Sequence, residues 1–346
     1  MNKAIILTAG RLDVNDAKTA HGLIRTSERF DIAGVIAAEN AGKDAGEVLD
    51  GIKRNIPVFS SVEEAVSAVP ETTYCIVGVA TPGGILPENM LLALKTAIQH
   101  GLNIVNGLHD FLNERPDFVA LAQQHQVTLT DIRRPKKRAD LHFWTGEIYS
   151  VKCPIIAVLG MDCAMGKRTT ARFVMQACQA AGIQAQMIYT GQTGWMQGGQ
   201  YGFIFDSTLN DFISGELEHA IVSCYRAENP DVIFLEGQSA LRNPSGPCGS
   251  EFLVSGNARY AILVYAPKRK YFNHHAPWGA IPSAESEIAL IAHYGTQVIA
   301  LALNTEDCSR EEAFAFQQEF HTRLGIPVML PLEEGVSQIV PVVGRL

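Results

Sequence analysis

Short apolar runs recur along the chain, separated by stretches whose apolar residues follow a different spacing. Through residue 132 the runs are AIILTA (4–9), IAGVIA (32–37), YCIVGVA (74–80), NIVNGL (103–108) and VTLTDI (127–132). Each is rich in Val and Ile and has the length of a buried strand. Between several of them lie helix-like stretches, SVEEAVSAV (61–69) and PENMLLALKTAIQHG (87–101). In the second, Met90, Leu91, Leu94, Ile98 and Leu102 fall at helical spacing, and Pro87 suits a helix start. Strands alternating with helices imply a parallel sheet covered on its faces.

From residue 155 the same texture returns. IIAVLG (155–160), QAQMIYTG (184–191), DVIFLEG (231–237), YAILVYA (260–266) and TQVIALALN (296–304) read as strands, the last pairing with the late run GIPVMLPL (325–332). Helices are expected from about Lys167 to Ala181, in LNDFISGELEHAIVSCYRA, in SAESEIALIAHYG and in SREEAFAFQQEFHTRLG. The last opens on Ser309 and Glu312 at capping-box spacing and ends at Gly325. The expected fold is α/β: residues 1–132 form an N-terminal Rossmann-like parallel sheet and 154–346 a P-loop NTPase-type α/β domain. Residues 133–153 connect them. In that stretch Arg133, Arg134, Lys136, Lys137 and Arg138 crowd around Pro135, which fits a solvated linker or an anion clamp.

The run IIAVLGMDCAMGKRTTA (155–171) carries the clearest chemistry. A phosphate cradle needs glycines that let the backbone curl, a following helix whose free N–H groups face the anion, and a Lys. Gly160 ends a strand and Gly166-Lys167 opens a helix, with five residues between the glycines, one more than in G-x-x-x-x-G-K. Gly160, Asp162, Cys163, Ala164, Gly166, Lys167, Arg168, Thr169 and Thr170 are therefore the expected phosphate-binding set. Arg168 stands where Ser or Thr usually gives a hydroxyl to Mg²⁺. Either Thr169 or Thr170 takes over that duty, or carboxylates alone hold the metal, or Arg168 itself meets a phosphate. Asp162 orients water or substrate, or merely shapes a turn.

Glu236 follows the strand DVIFL and so emerges at the sheet edge beside the loop, where a P-loop enzyme keeps its metal-associated acid. Asp206 completes a metal site with Thr169 and Glu236, or only precedes a helix cap. His275, in YFNHHAPWG, is a candidate general base, its pKa lying near neutrality. Glu236, Asp206 and His275 are thus the catalytic candidates. TGQTGWMQGG (190–199) reads as an uncharged, glycine-dense loop with Trp195 against a ligand or the core. The run Lys268-Arg269-Lys270 either attracts an acidic substrate or is a solvated loop. TAGR and VATPGG sit after strands but lack the G-x-G-x-x-G spacing, so a dinucleotide is not supported.

Composition narrows the class. The 346 residues are 47% hydrophobic and 18% charged, enough apolar material for two cores. A net charge of −8 argues against nucleic acid or an anionic membrane as main partner. The seven Cys are scattered, with no C-x-x-C, which suits a reducing cytoplasm and excludes a disulfide framework. MNKAIILTAGRLD reads as a strand rather than a signal peptide, and no run approaches a membrane span.

GMDCAMGKRTT is similar to the phosphate loop of dethiobiotin synthetase and its relatives, and FLEGQSAL (234–241) resembles their Val-Glu-Gly-Ala-Gly segment. Taken with YTGQTGWMQG (189–198) and PWGAIPSAESEIAL (277–290), these motifs resemble one P-loop family long catalogued as a domain of unknown function, which includes D-glutamate N-acetyltransferases. That resemblance implies a small-molecule enzyme acting on an acidic amino acid, using acetyl-CoA or ATP, with Mg²⁺ as companion to ATP. By the synthetase resemblance, Asn304 contacts an adenine. Three functions follow as expectations: acetyl transfer to an amino group, ATP-dependent ligation or carboxylation, and nucleotide binding without turnover. A homo-oligomer is compatible with each.

Overall fold

The computed structural model describes the backbone of all 346 residues and every side chain except those of Asn15 and Pro82. The chain divides into two compact units, Met1–Pro135 with Gln192–Gly198, and Lys136–Gly191 with Gly199–Leu346.

The first unit is built on six parallel strands, β1 (Asn2–Leu7), β2 (Phe30–Ile36), β3 (Val58–Phe59), β4 (Tyr74–Val77), β5 (Asn103–Asn106) and β6 (Leu129–Asp131), in the order β3-β2-β1-β4-β5-β6. Alternation along β1 explains its two helical layers. Ile5 and Leu7 join one apolar cluster with Val62, Met90, Leu94, Ile98 and Phe118. Ala4 and Ile6 join another with Leu23, Ile24 and Ala45. The first cluster is supplied by α3 (Val62–Ala68), α4 (Glu88–Gln99) and α5 (Pro116–Gln124), the second by α1 (Lys18–Arg25) and α2 (Ala45–Asp50). The sequence reading does not pick out α1, α2, α5 or β3. The first two are short and carry Gly22 and Gly46, and β3 is two residues long.

The second unit holds β7 (Ile155–Gly160), β8 (Ala185–Ile188), β9 (Val232–Glu236), β10 (Tyr260–Tyr265), β11 (Gln297–Leu303) and β12 (Val328–Met329), again parallel, in the order β12-β11-β10-β7-β9-β8. Every residue of β7 is buried, as an inner strand of a doubly covered sheet must be. The expected partner of β11 is found: Leu301 faces Val328. Helices α6 (Lys167–Ala180), α8 (Asn210–Glu228), α10 (Ala284–His293) and α11 (Arg310–Leu324) are its long helices, with short α9 (Ser250–Val254) and α12 (Val340–Val343). The capping box at Ser309 and Glu312 forms, and Gly325 ends α11 at φ 67°. Both units are thus doubly wound α/β sheets.

Two stretches differ from their sequence reading. Residues 192–196 are not loop but a one-turn helix, α7 (Gln192–Met196), and they pack in the first unit. There Met196 is fully buried, the Gln197 amide donates to the carbonyls of Gly22 and Thr26, and the Arg29 guanidinium lies 4.1 Å from the Trp195 ring centre. Packing of Trp195 and Met196 against α1 and its surroundings overrides the glycine-rich composition. The basic connector is likewise not a free linker. Two buried acids of α8 hold it: Glu216 accepts from Lys136 Nζ at 2.6 Å and from the His142 amide at 2.8 Å, and Glu218 accepts from the Thr145 and Ile148 amides at 2.6 and 3.0 Å. Lys136 is therefore committed to Glu216 rather than to an anion clamp.

Candidate functional site

In the second sheet β7 lies beside β10, and the connections after these two strands, to β8 and to β11, leave in opposite directions and open a crevice at the carboxyl ends of the strands. Ligands of open α/β sheets bind at such a point. The turn after β7, residues 161–166, sits there.

Its shape follows from a few positions. Gly166 adopts φ 98° at the start of α6, a region that favours glycine, and no side chain caps that helix start. Gly160 serves differently: a Cβ there would stand 2.9 Å from Lys167 Cγ, so its bareness lets the Lys167 stem fold back across the strand end. Lys167 Nζ then donates to the Asp162 carbonyl at 2.6 Å, 7% of the residue remaining exposed. Ala164 curls the turn at φ 50°. Arg168 and Thr169, both half-buried, and Thr170, buried, complete the first turn of α6.

Asp162 holds the turn from behind. It is fully buried, and its carboxylate accepts from Asn243 Nδ2 at 2.7 Å, the Asn273 amide at 2.8 Å and Arg269 Nη1 at 3.0 Å. Arg269 also donates to the Cys163 carbonyl at 2.7 Å and grips both oxygens of Glu306 at 2.5 and 2.6 Å. The middle of the Lys268-Arg269-Lys270 run is therefore a buried brace, neither a solvated loop nor a substrate lure; Lys268 pairs with Glu312. Cys163 Sγ lies 3.4 Å from Ser239 Oγ and 3.6 Å from Asn243 Nδ2. Asn304 spends both ends of its amide within the fold, Nδ2 on the Met165 carbonyl at 3.1 Å and Oδ1 on the Glu306 amide at 2.9 Å, and so braces the turn.

Glu236 stands on the adjacent strand, opposite Val158 in register. It is 4% exposed; Oε2 accepts from the Thr190 amide at 3.0 Å, while Thr190 Oγ1 donates to the Glu236 carbonyl at 2.6 Å. Burial pushes its carboxyl above the usual carboxylate range, against the opposing pull of Arg168, the Thr190 and Gly191 amides and Lys167. A buried carboxyl raised in this way is a candidate proton-exchanging group.

The remaining expected residues lie apart in character. Asp206 is exposed in the turn Phe205–Ser207, and His275 is exposed with its ring perpendicular to that of Trp278. Among the described residues no group of three or more His, Cys, Asp or Glu is arranged to hold a metal ion. Backbone strain gathers at the same edge: Ala164, Ser239, Asn273, His274 and Asp307 all have positive φ. Such conformations persist only where the surroundings enforce them, often at ligand sites. Asn243, Asn273 and Glu306 are not singled out in the sequence reading, and Arg269 and Thr190 enter it only as members of the runs 268–270 and 190–199; no local pattern links any of them to the loop. Among the described residues, no helix is long and apolar enough to cross a membrane.

Known proteins place this geometry. Residues 142–340 match a family model described as the DUF1611 P-loop domain, and residues 38–135 its N-terminal Rossmann-like domain. A D-glutamate N-acetyltransferase of Pseudoalteromonas sp is 30% identical over 77% of this chain and 79% of its own. A D-glutamate N-acetyltransferase of Tritonibacter scottomollicae is 29% identical over 81% of this chain and 83% of its own. The crystal structure of a DUF1611 family protein from Anabaena variabilis superposes with a TM-score of 0.90 at 27% identity, covering 100% of both chains. With a Rossmann-like sheet followed by a P-loop sheet whose strand-turn-helix carries Gly160 and Gly166-Lys167, the chain belongs to the DUF1611 family.

Proposed function

We propose that this protein moves the acetyl group of acetyl-CoA onto the amino group of an acidic amino acid, with D-glutamate as the first acceptor to test. The likeness to two D-glutamate N-acetyltransferases over most of both chains carries the reading. The turn of residues 160–170 supports it, since loop amides, Lys167 and Arg168 suit a phosphorylated co-substrate. In the reaction the acceptor nitrogen attacks the thioester carbonyl. The C–N bond forms as the C–S bond breaks, and the electron pair leaves on the CoA sulfur, which takes up the second proton shed by the attacking nitrogen and ends as the free thiol. The acceptor ammonium must first lose a proton. Glu236, with its raised carboxyl pKa and its place beside Lys167 and Arg168, is the group suited to take it. His275 is a second candidate base, and comparing Glu236→Gln with His275→Ala separates the two.

The test supplies the purified protein with acetyl-CoA and D-glutamate, Mg²⁺ present and ATP absent, and follows thiol release and the mass of the acetylated product. Thiol release that requires D-glutamate is expected, with L-glutamate and D-aspartate slower. Release that ignores the acceptor, or none at all, overturns the proposal. ADP formed from ATP only with a carboxylate substrate would instead make the protein a ligase.

A further inference from the structure

Acetyl transfer leaves one residue of the loop unexplained. In the usual phosphate loop a hydroxyl follows the Lys and holds Mg²⁺, which offsets the charge of the outer phosphates. Arg168 offers only N–H donors at that position and cannot ligate a cation. The acids around it do not compensate. Asp162 is fully buried and committed to Arg269, Asn243 and the Asn273 amide. Glu236 is 4% exposed and holds the Thr190 amide. The hydroxyls of Thr169 and Thr170 come one and two residues later along the helix than the usual metal-holding position. Two successive cations, Lys167 and Arg168, occupy the first turn of a helix whose start no side chain caps. Around Gly166 no atom beyond its chain neighbours and the helix backbone comes within 4 Å of where a Cβ would stand, so that point is open.

We infer that Arg168 takes the place of the divalent cation, so that the loop binds a diphosphate diester such as that of coenzyme A without metal and disfavours nucleoside triphosphates. The inference rests on the acetyl-transfer reading for the identity of the diphosphate alone. Charge decides between the ligands. The diphosphate diester of coenzyme A carries about one negative charge on each phosphate, which Lys167 and Arg168 match, and its 3′-phosphate sits on the far side of the ribose; in ATP the terminal monoester phosphate extends the same chain and brings roughly 1.5 to 2 charges more into the loop. A guanidinium also presents a planar fork of donors to two phosphate oxygens, geometry that an ammonium lacks.

The experiment measures equilibrium binding of coenzyme A, ADP and ATP to the full chain by calorimetry, each in EDTA and in excess Mg²⁺. Coenzyme A should bind in EDTA, its Kd changing less than about threefold on adding Mg²⁺, with ADP weaker and ATP weakest. Arg168→Thr should lose about 10- to 100-fold in metal-free affinity for coenzyme A, the worth of a charge-assisted hydrogen bond, and should gain Mg²⁺-dependent binding of ATP. Arg168→Lys should fall between wild type and Arg168→Thr. Coenzyme A binding only with Mg²⁺ overturns the metal-free cradle while acetyl transfer stands. ATP binding in EDTA as tightly as coenzyme A overturns the selectivity. No binding of coenzyme A in either condition removes the inference and the acetyl-CoA reading together. The wild-type comparisons decide the matter even if a variant fails to fold.

Discussion

Replacing Arg269 with Met tests how the loop is held. The substitution keeps most of the volume and removes the charge. Arg269 and Asp162 have side chains 2% and 0% exposed, so the pair is sealed from water. The variant leaves the Asp162 carboxylate with Asn243 and the Asn273 amide but no cation, and it frees Glu306 and the Cys163 carbonyl. Breaking a buried ion pair from one side costs about 3–5 kcal/mol. A unit of this size loses about 2–4 °C of Tm per kcal/mol, so a fall of about 6–20 °C is expected. Thermal unfolding followed by circular dichroism reads it. Tryptophan emission assigns it, because Trp144 and Trp278 belong to the second unit and Trp195 to the first. Arg269→Met combined with Asp162→Asn removes both charges and should recover part of the loss, with a coupling of about 0.5–3 kcal/mol. A single variant melting within about 2 °C of wild type, or a double variant showing no coupling, would refute the reasoning.

Three further outcomes follow from the same geometry. Gly160→Ala puts a Cβ 2.9 Å from Lys167 Cγ and should weaken binding of coenzyme A about tenfold or more while Tm changes little, because the Lys stem can yield but not keep its place. For Glu236, the folded pKa is raised, so its stabilising contribution is complete below the ordinary carboxyl value of 4.5 and is lost as pH rises through the folded pKa. Glu236→Gln should therefore gain Tm relative to wild type from acid toward neutral pH while kcat falls about 100-fold or more; a Tm difference independent of pH contradicts the shift. Glu218→Ala strips the acceptor from the Thr145 and Ile148 amides and should cost about 2–4 kcal/mol, with proteolysis opening near residues 140–150; an unchanged cleavage pattern would show that the segment is held by other means.

The phosphate loop was legible because its evidence is local. A strand, two glycines, a Lys and an amphipathic helix fall within seventeen consecutive residues, 155–171. Its bracing was not, because Asn243, Arg269 and Asn273 reach Asp162 and Cys163, and Glu306 reaches Arg269, only through the order of the strands. Arg269 in particular lies between two lysines, and a triplet of cations reads as a wet surface until topology buries its centre. Glu216 and Glu218 were passed over for the same reason: helical spacing separates apolar from polar positions but does not say which polar ones meet buried amides. The second sheet was read more completely than the first because its helices are longer. α1 and α2, of eight and six residues, are too short to stand out along the chain.

Residues 192–198 belong to the first unit although they are encoded inside the second. On a ribosome the first unit cannot be finished when its own sheet has emerged. It waits for α7, by which time β7, α6 and β8 have already been made. Neither unit can therefore be excised as an intact cassette by a single cut, and a gene fragment ending at residue 135 encodes a layer with a piece missing.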